Sequence, residues 1–191
     1  MGYHRAGFDV VGVDIKPQPR YPFTFIQADA FDYLRDHGHE FDVIHASPPC
    51  QAYSWSAKRW NKKREDLVDS IRAELRPMEK AHIIENVLGA PLVYPVMLCG
   101  TMFGLGVIRH RYFEIYCGGC LFHWLTPDCQ HKGSVSDGDY VTVAGHGGNG
   151  RAALHLWKRA MGIDWMSKDE LTQAIPPTYT EWIGKQLMKA I

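Results

Sequence analysis

Apolar residues fall along this chain in short, β-branched runs that stop at small or polar residues. "FDVVGVDI" (8–15) ends near Asp14, and "FTFIQADAF" (23–31) carries Asp29 near its end. "FDVIHAS" is a third run, "AHIIENV" (81–87) a fourth, and "RYFEIY" (111–116) another. Compact runs of this composition predict buried strands. Between the third and fourth, Leu67, Val68, Ile71 and Leu75 repeat at helical spacing with Pro77 just beyond, which predicts a helix over 65–75. Strands alternating with helical or loop connections predict an α/β fold with a largely parallel sheet. Towards the end, Ser167 and Glu170 have capping-box spacing, and Pro176 and Pro177 can open a last helix. In that helix Tyr179, Ile183, Leu187 and Ile191 form a stripe suited to a core. The stretch 117–150 is rich in Gly, Cys, His and Asp and predicts a small irregular insert. The chain therefore divides into a core over 1–116, an insert over 117–150, and a helical segment over 151–191 that returns to the core.

Composition narrows the class. The 191 residues, 46% apolar and 22% charged, suit one soluble domain with a small insert. The 21 basic and 21 acidic residues cancel, so any nucleic-acid surface is local. One local run exists: Lys58, Arg59, Lys62, Lys63 and Arg64 crowd around Trp60, either as a solvated loop or as a phosphate-binding one. Five irregularly spaced cysteines argue against a disulfide framework and for a reducing compartment. "MGYHRAGFD" lacks the apolar stretch of a signal peptide, and residues 83–108 are too interrupted to span a membrane. A cytoplasmic, monomeric protein is expected.

Chemistry gathers at strand ends, where open parallel sheets hold ligands. Asp14, Asp29 and Cys50 follow three of the runs, and Glu85 and Asn86 close a fourth. Each acid alone reads equally as a ribose-binding carboxylate or as a helix cap or solvated loop residue. Taken together, "SPPCQAYS", "IIENV", "RHRYFEI" and "MGIDWMSKDELTQAIPPTYTEWIGKQL" resemble, in order, motifs of the cytosine-C5 DNA methyltransferase family. "GYHRAGFDVVGVDI" resembles the stretch that leads from that family's cofactor loop to its second strand. The resemblance covers most of the chain. It implies a Rossmann-like, S-adenosylmethionine-dependent methyltransferase fold that lacks its first strand and the glycine-rich loop after it. It further implies Cys50 as the nucleophile at cytosine C6, Glu85 as the group that protonates or holds N3, and Arg109 and Arg111 as contacts to base and phosphate. A thiolate suits the first role, and a buried, raised-pKa carboxyl the second. Asp14, Asp29 and Pro49 would line the cofactor pocket. Lys58, Arg59, Lys62, Lys63 and Arg64 would meet double-stranded DNA, from which the target base has to be flipped. Two other outcomes stay open: an inactive truncated relic that binds DNA or a partner chain, and methylation of RNA. Val107 stands where the family's arginine motif usually has glutamine.

Two weaker signals lie outside the motifs. Cys117, Cys120, Cys129 and His131, with His123 to spare, could hold a structural zinc ion, although ligands two residues apart strain its geometry. Gly145, Gly147 and Gly150 spell a dinucleotide-type G-x-G-x-x-G, but no second strand follows, so the segment reads as a loop. Cys99, in "VMLCGTM", reads as core.

Overall fold

The computed structural model describes residues 1–50, 53, 66–118, 126–129, 131, 132, 138–143 and 153–191. By contacts the chain forms two units. One, the sheet unit, comprises Val11–Met97, Arg111–Trp124 and Ala190–Ile191; the other, the helical unit, comprises Met1–Val10, Leu98–His110 and Leu125–Lys189. The helical unit thus draws on all three of the segments 1–116, 117–150 and 151–191. No described helix is long and apolar enough to cross a membrane.

In the sheet unit, β1 (Val11–Asp14) and β2 (Thr24–Gln27) pair in parallel as a two-stranded sheet. Helix α2 (Ala30–His37) follows directly, because Asp29 caps it by accepting the Phe31 and Asp32 amide hydrogens. Strands β3 (Val43–Ala46), β4 (Ala81–Asn86), β5 (Val96–Leu98) and β6 (Arg111–Tyr116) form a second sheet in the order β3-β4-β6-β5. β3 and β4 are parallel, whereas β4 and β6 are antiparallel. The sheet is therefore mixed; an apolar run marks a strand but does not carry its direction. Every residue of β4 is buried, as its place between two neighbours requires. Helix α3 (Leu67–Leu75), capped by Asp66, lays Val68, Ile71 and Leu75 with Leu34 of α2 against Ile84. That packing explains the helical spacing seen in the sequence.

Arg72 of α3 ties this unit together. Its Nε and Nη2 donate to the two carboxylate oxygens of Glu114 on β6, at 2.8 and 2.7 Å. Nη2 also donates to the Pro91 carbonyl at 2.6 Å, and Glu114 accepts the Val93 amide hydrogen at 2.8 Å.

In the helical unit, α1 (Gly2–Arg5) packs on α6 (Pro177–Leu187). The approach depends on glycine. A Cβ at Gly2 would collide with the Pro177 carbonyl and Thr180, and one at Gly184 would sit 2.7 Å from Ala6 Cβ. Tyr179, Ile183 and Leu187 are fully buried, as the stripe predicts, but Ile191 lies beyond the helix and is exposed. Helix α4 (Leu154–Met161) ends at left-handed Gly162, and α5 (Lys168–Gln173) opens with the Ser167–Glu170 capping box. Their apolar faces enclose Trp157, Ala160, Met161, Ile163 and Leu171 around Val107 and Val143. Val107 is thus core, which accounts for an apolar residue where the resembled motif carries glutamine.

Candidate functional site

Parallel pairing of β3 with β4, Ala46 opposite Ile84, sets their carboxyl ends side by side. One end leads through Ser47, Pro48 and Pro49 to Cys50; the other closes on Glu85 and Asn86. Asn86 is buried and joins the two: its Nδ2 donates to the Pro48 carbonyl at 3.0 Å, while its Oδ1 accepts the Val87 amide hydrogen at 2.9 Å. The cysteine loop is therefore held by two prolines from within and by Asn86 from outside. Cys50 is a free, half-buried thiol, and its carbonyl accepts the Tyr53 amide hydrogen at 3.1 Å. The Tyr53 hydroxyl in turn donates to Asp66, the cap of α3. Burial, with that bond to Asp66, raises the Tyr53 pKa well above its ordinary value.

Glu85 is buried and forms an ion pair with Arg111 Nε at 3.0 Å. Arg109 has a different setting. It belongs to the helical unit, where its Nη1 and Nη2 donate to the carbonyls of Val143 and Thr172 at 2.7 and 2.8 Å, and its own carbonyl accepts from the Tyr179 hydroxyl at 2.7 Å. Those bonds fasten the segment Leu98–His110 to three points of the segment Leu125–Lys189.

Asp14, Asp29 and Pro49 share one cavity of about 440 Å³ in the sheet unit, walled by residues of β1, α2 and β3 such as Val13, Phe31 and Ile44. The acids also have local partners. Asp14 Oδ1 accepts the Lys16 amide hydrogen at 2.8 Å, and its Oδ2 accepts Gln18 Nε2 at 3.2 Å. Asp29 uses Oδ1 for its helix cap. The cap reading holds for Asp29 alone, since no helix starts after Asp14, and both acids line the cavity. His45, which sequence reasoning passed over, lines the same cavity with its Nε2 3.0 Å from Ser47 Oγ. Burial pushes its pKa down to about 4, so it stands neutral at physiological pH. Its only sequence signal is its place near the end of β3.

Lys58, Arg59, Lys62, Lys63 and Arg64 lie outside the described residues, as do Gly145, Gly147, Gly150, Cys120 and His123. Cys117 is disulfide-bonded, which removes it from a thiolate ligand set and departs from the reduced state expected of it. Cys129 and His131, however, come together with Cys99 and His110. One ligating atom from each lies within 4.8 Å of all the others, a cluster within the helical unit that could hold a metal ion. Cys99 is fully buried, as expected of it, but it also belongs to this cluster. No spacing in the sequence joins residues 99 and 110 to 129 and 131; only the fold does.

Neither the scan against protein-family models nor the search of curated proteins gives a match.

Proposed function

We propose that the chain is a DNA (cytosine-5-)-methyltransferase that works through Cys50 and S-adenosylmethionine. One observation carries the reading: a single unit combines a cavity containing Asp14, Asp29 and Pro49 with the Cys50 loop and the Glu85–Arg111 pair at neighbouring strand ends. The cavity's volume lies within the range of small-molecule sites. Its chemistry fits a nucleoside: carboxylates at the end of β1 and the start of α2 accept bonds from sugar hydroxyls, and Val13, Phe31 and Ile44 offer an apolar wall to a purine. S-adenosylmethionine, when bound, supplies the methyl group that cytosine C5 takes up.

The chain's own residues make C5 receptive. Cys50 adds as thiolate to C6, and the displaced π electrons move towards C5. Glu85 and Arg111 grip the polar edge of the flipped base, Glu85 at N3 and Arg111 at O2, exchanging part of their mutual ion pair for these contacts. Once C5 carries the methyl group, its proton passes to solvent water, the C5–H electron pair re-forms the C5=C6 bond, and the C6–S bond breaks to release the Cys50 thiolate. Asn86 and the prolines keep the sulfur in one place throughout.

A second reading has support of its own. β1 pairs only with β2, and β3 only with β4, among the described strands. Both line the same cavity, so a strand absent from between them would leave an incomplete pocket and a relic that binds DNA or a partner without turning over. Equilibrium dialysis with labelled S-adenosylmethionine separates the two. The methyltransferase reading expects one cofactor per chain and, for Asp14→Ala, binding at least tenfold weaker, roughly 1.4 kcal/mol. A folded wild-type chain that retains no cofactor would sink it in favour of the relic.

A further inference from the structure

We infer that Cys99, His110, Cys129 and His131 form a closed, tetrahedral structural zinc site in the helical unit. The geometry is the ground for this. With Zn–S near 2.3 Å and Zn–N near 2.0–2.1 Å, a tetrahedral ion sets a sulfur and a nitrogen ligand about 3.6 Å apart, two sulfurs about 3.8 Å apart and two nitrogens about 3.3 Å apart. Cys129 Sγ and His110 Nε2 are 3.6 Å apart, and all four ligating atoms fit within 4.8 Å. The His110 and His131 rings lie 5.5 Å apart at 34°, compatible with both presenting a nitrogen to one centre.

Ligand chemistry selects the ion. Two thiolates and two imidazoles in a tetrahedron are a zinc set, and four protein ligands leave no position for water, which makes the site structural rather than catalytic. A supporting residue is present as well: Thr101 Oγ1 lies 3.4 Å from Cys99 Sγ and 3.9 Å from Cys129 Sγ, where its hydroxyl can hydrogen-bond to ligand sulfur. Binding is balanced by loss of two thiol protons: Zn²⁺ with two neutral cysteines and two neutral histidines gives a neutral complex and two H⁺.

The ion would do what a small core cannot. Cys99 opens the 3-10 turn Gly100–Phe103, His110 directly precedes β6, and neither Cys129 nor His131 lies in a described helix or strand. Linking them fixes Cys129 and His131 to the segment Leu98–His110. This assignment is independent of the methyltransferase reading, and it replaces Cys117 and Cys120 of the sequence-based set with Cys99 and His110.

The test is reconstitution of the full-length chain, under reducing conditions, with Zn²⁺ or Co²⁺. Expected are one metal per chain, the visible spectrum of tetrahedral Co²⁺ with two thiolates, and X-ray absorption distances of two sulfurs at about 2.3 Å and two nitrogens at about 2.0 Å. Cys117→Ser keeps the metal, Cys99→Ser and His110→Ala lose stoichiometric binding, and Thr101→Val weakens it about tenfold. Because the spectra are read on the wild type, a variant that fails to fold does not remove the test. Absence of bound metal, a spectrum with three or more sulfur ligands, or Cys99→Ser binding as tightly as wild type would each overturn the assignment.

Discussion

Replacing Glu114 by glutamine isolates the charge that holds the sheet unit together. The Arg72 and Glu114 side chains are 8% and 10% exposed. Glu114→Gln keeps the shape and one acceptor but removes the anion from a bidentate pair. Arg72 then keeps only Asp69, 70% exposed, and the Pro91 carbonyl. Breaking a buried pair from one side costs about 3–5 kcal/mol, because the remaining charge stays buried; the acceptor that Gln retains puts the expectation near 3 kcal/mol. That is a large share of the roughly 5–15 kcal/mol that holds a domain folded. The pair itself is worth far less than this loss. Arg72→Met with Glu114→Leu should therefore recover most of the stability, since water can reach the exposed Pro91 and Val93.

The pH dependence supplies a second check. Burial alone would raise the Glu114 pKa, but the Arg72 bonds, the Val93 amide and the charge of Arg72 together hold it below its ordinary value. A depressed carboxylate contributes stability above the unfolded pKa and loses it as pH falls through the folded one. The gap between wild type and Glu114→Gln should thus be full at pH 7 and shrink in acid, below about pH 4.3. Urea unfolding at fixed pH, followed by tryptophan fluorescence and far-ultraviolet circular dichroism, measures it. A gap under about 1 kcal/mol at pH 7, or one that does not shrink in acid, refutes the reasoning.

Three further outcomes follow from the packing. Asn86→Ala strands the Pro48 carbonyl and should cost about 1–3 kcal/mol in urea unfolding, with faster thiol modification of Cys50 as its loop loosens. Tyr179→Phe removes the hydroxyl that serves the buried Arg109 carbonyl and should cost about 1 kcal/mol, visible as a lower thermal midpoint. Gly184→Ala drives a methyl into Ala6 and Tyr3, and should cost about 1–3 kcal/mol by separating α1 from α6.

Much of the local structure was legible because one residue or one period decided it. Pro177, Ser167 and Glu170 started their helices where their chemistry requires, and β6 coincides with the run 111–116. Helix α2 is not marked by periodicity, because its apolar face is short; its one signal is Asp29, whose cap reading stands level with its pocket reading in the sequence alone. The antiparallel course of β6 and the burial of β4 between its neighbours are properties of pairing, which no single run contains. The site divided in the same way. Cys50, Glu85 and Arg111 could be named from local motifs, and the structure gives the last two an ion pair. Cys99 and His110 could not, because their partners lie up to 32 residues further along the chain and only folding brings them together. The carbonyl bonds of Arg109 were hidden for the same reason: residues 143 and 172 are remote in sequence.

The most direct test of the account is a covalent trap. Duplex DNA of mixed sequence carrying 5-fluorocytosine is incubated with the chain and S-adenosylmethionine, beside Cys50→Ser and a fluorinated RNA control, and run on a denaturing gel. Fluorine cannot leave C5 as a proton does, so the sulfur adduct persists. The expected result is a retarded band with DNA that requires both Cys50 and cofactor. A folded wild-type chain giving no band on any substrate, or a band that survives Cys50→Ser, would contradict it.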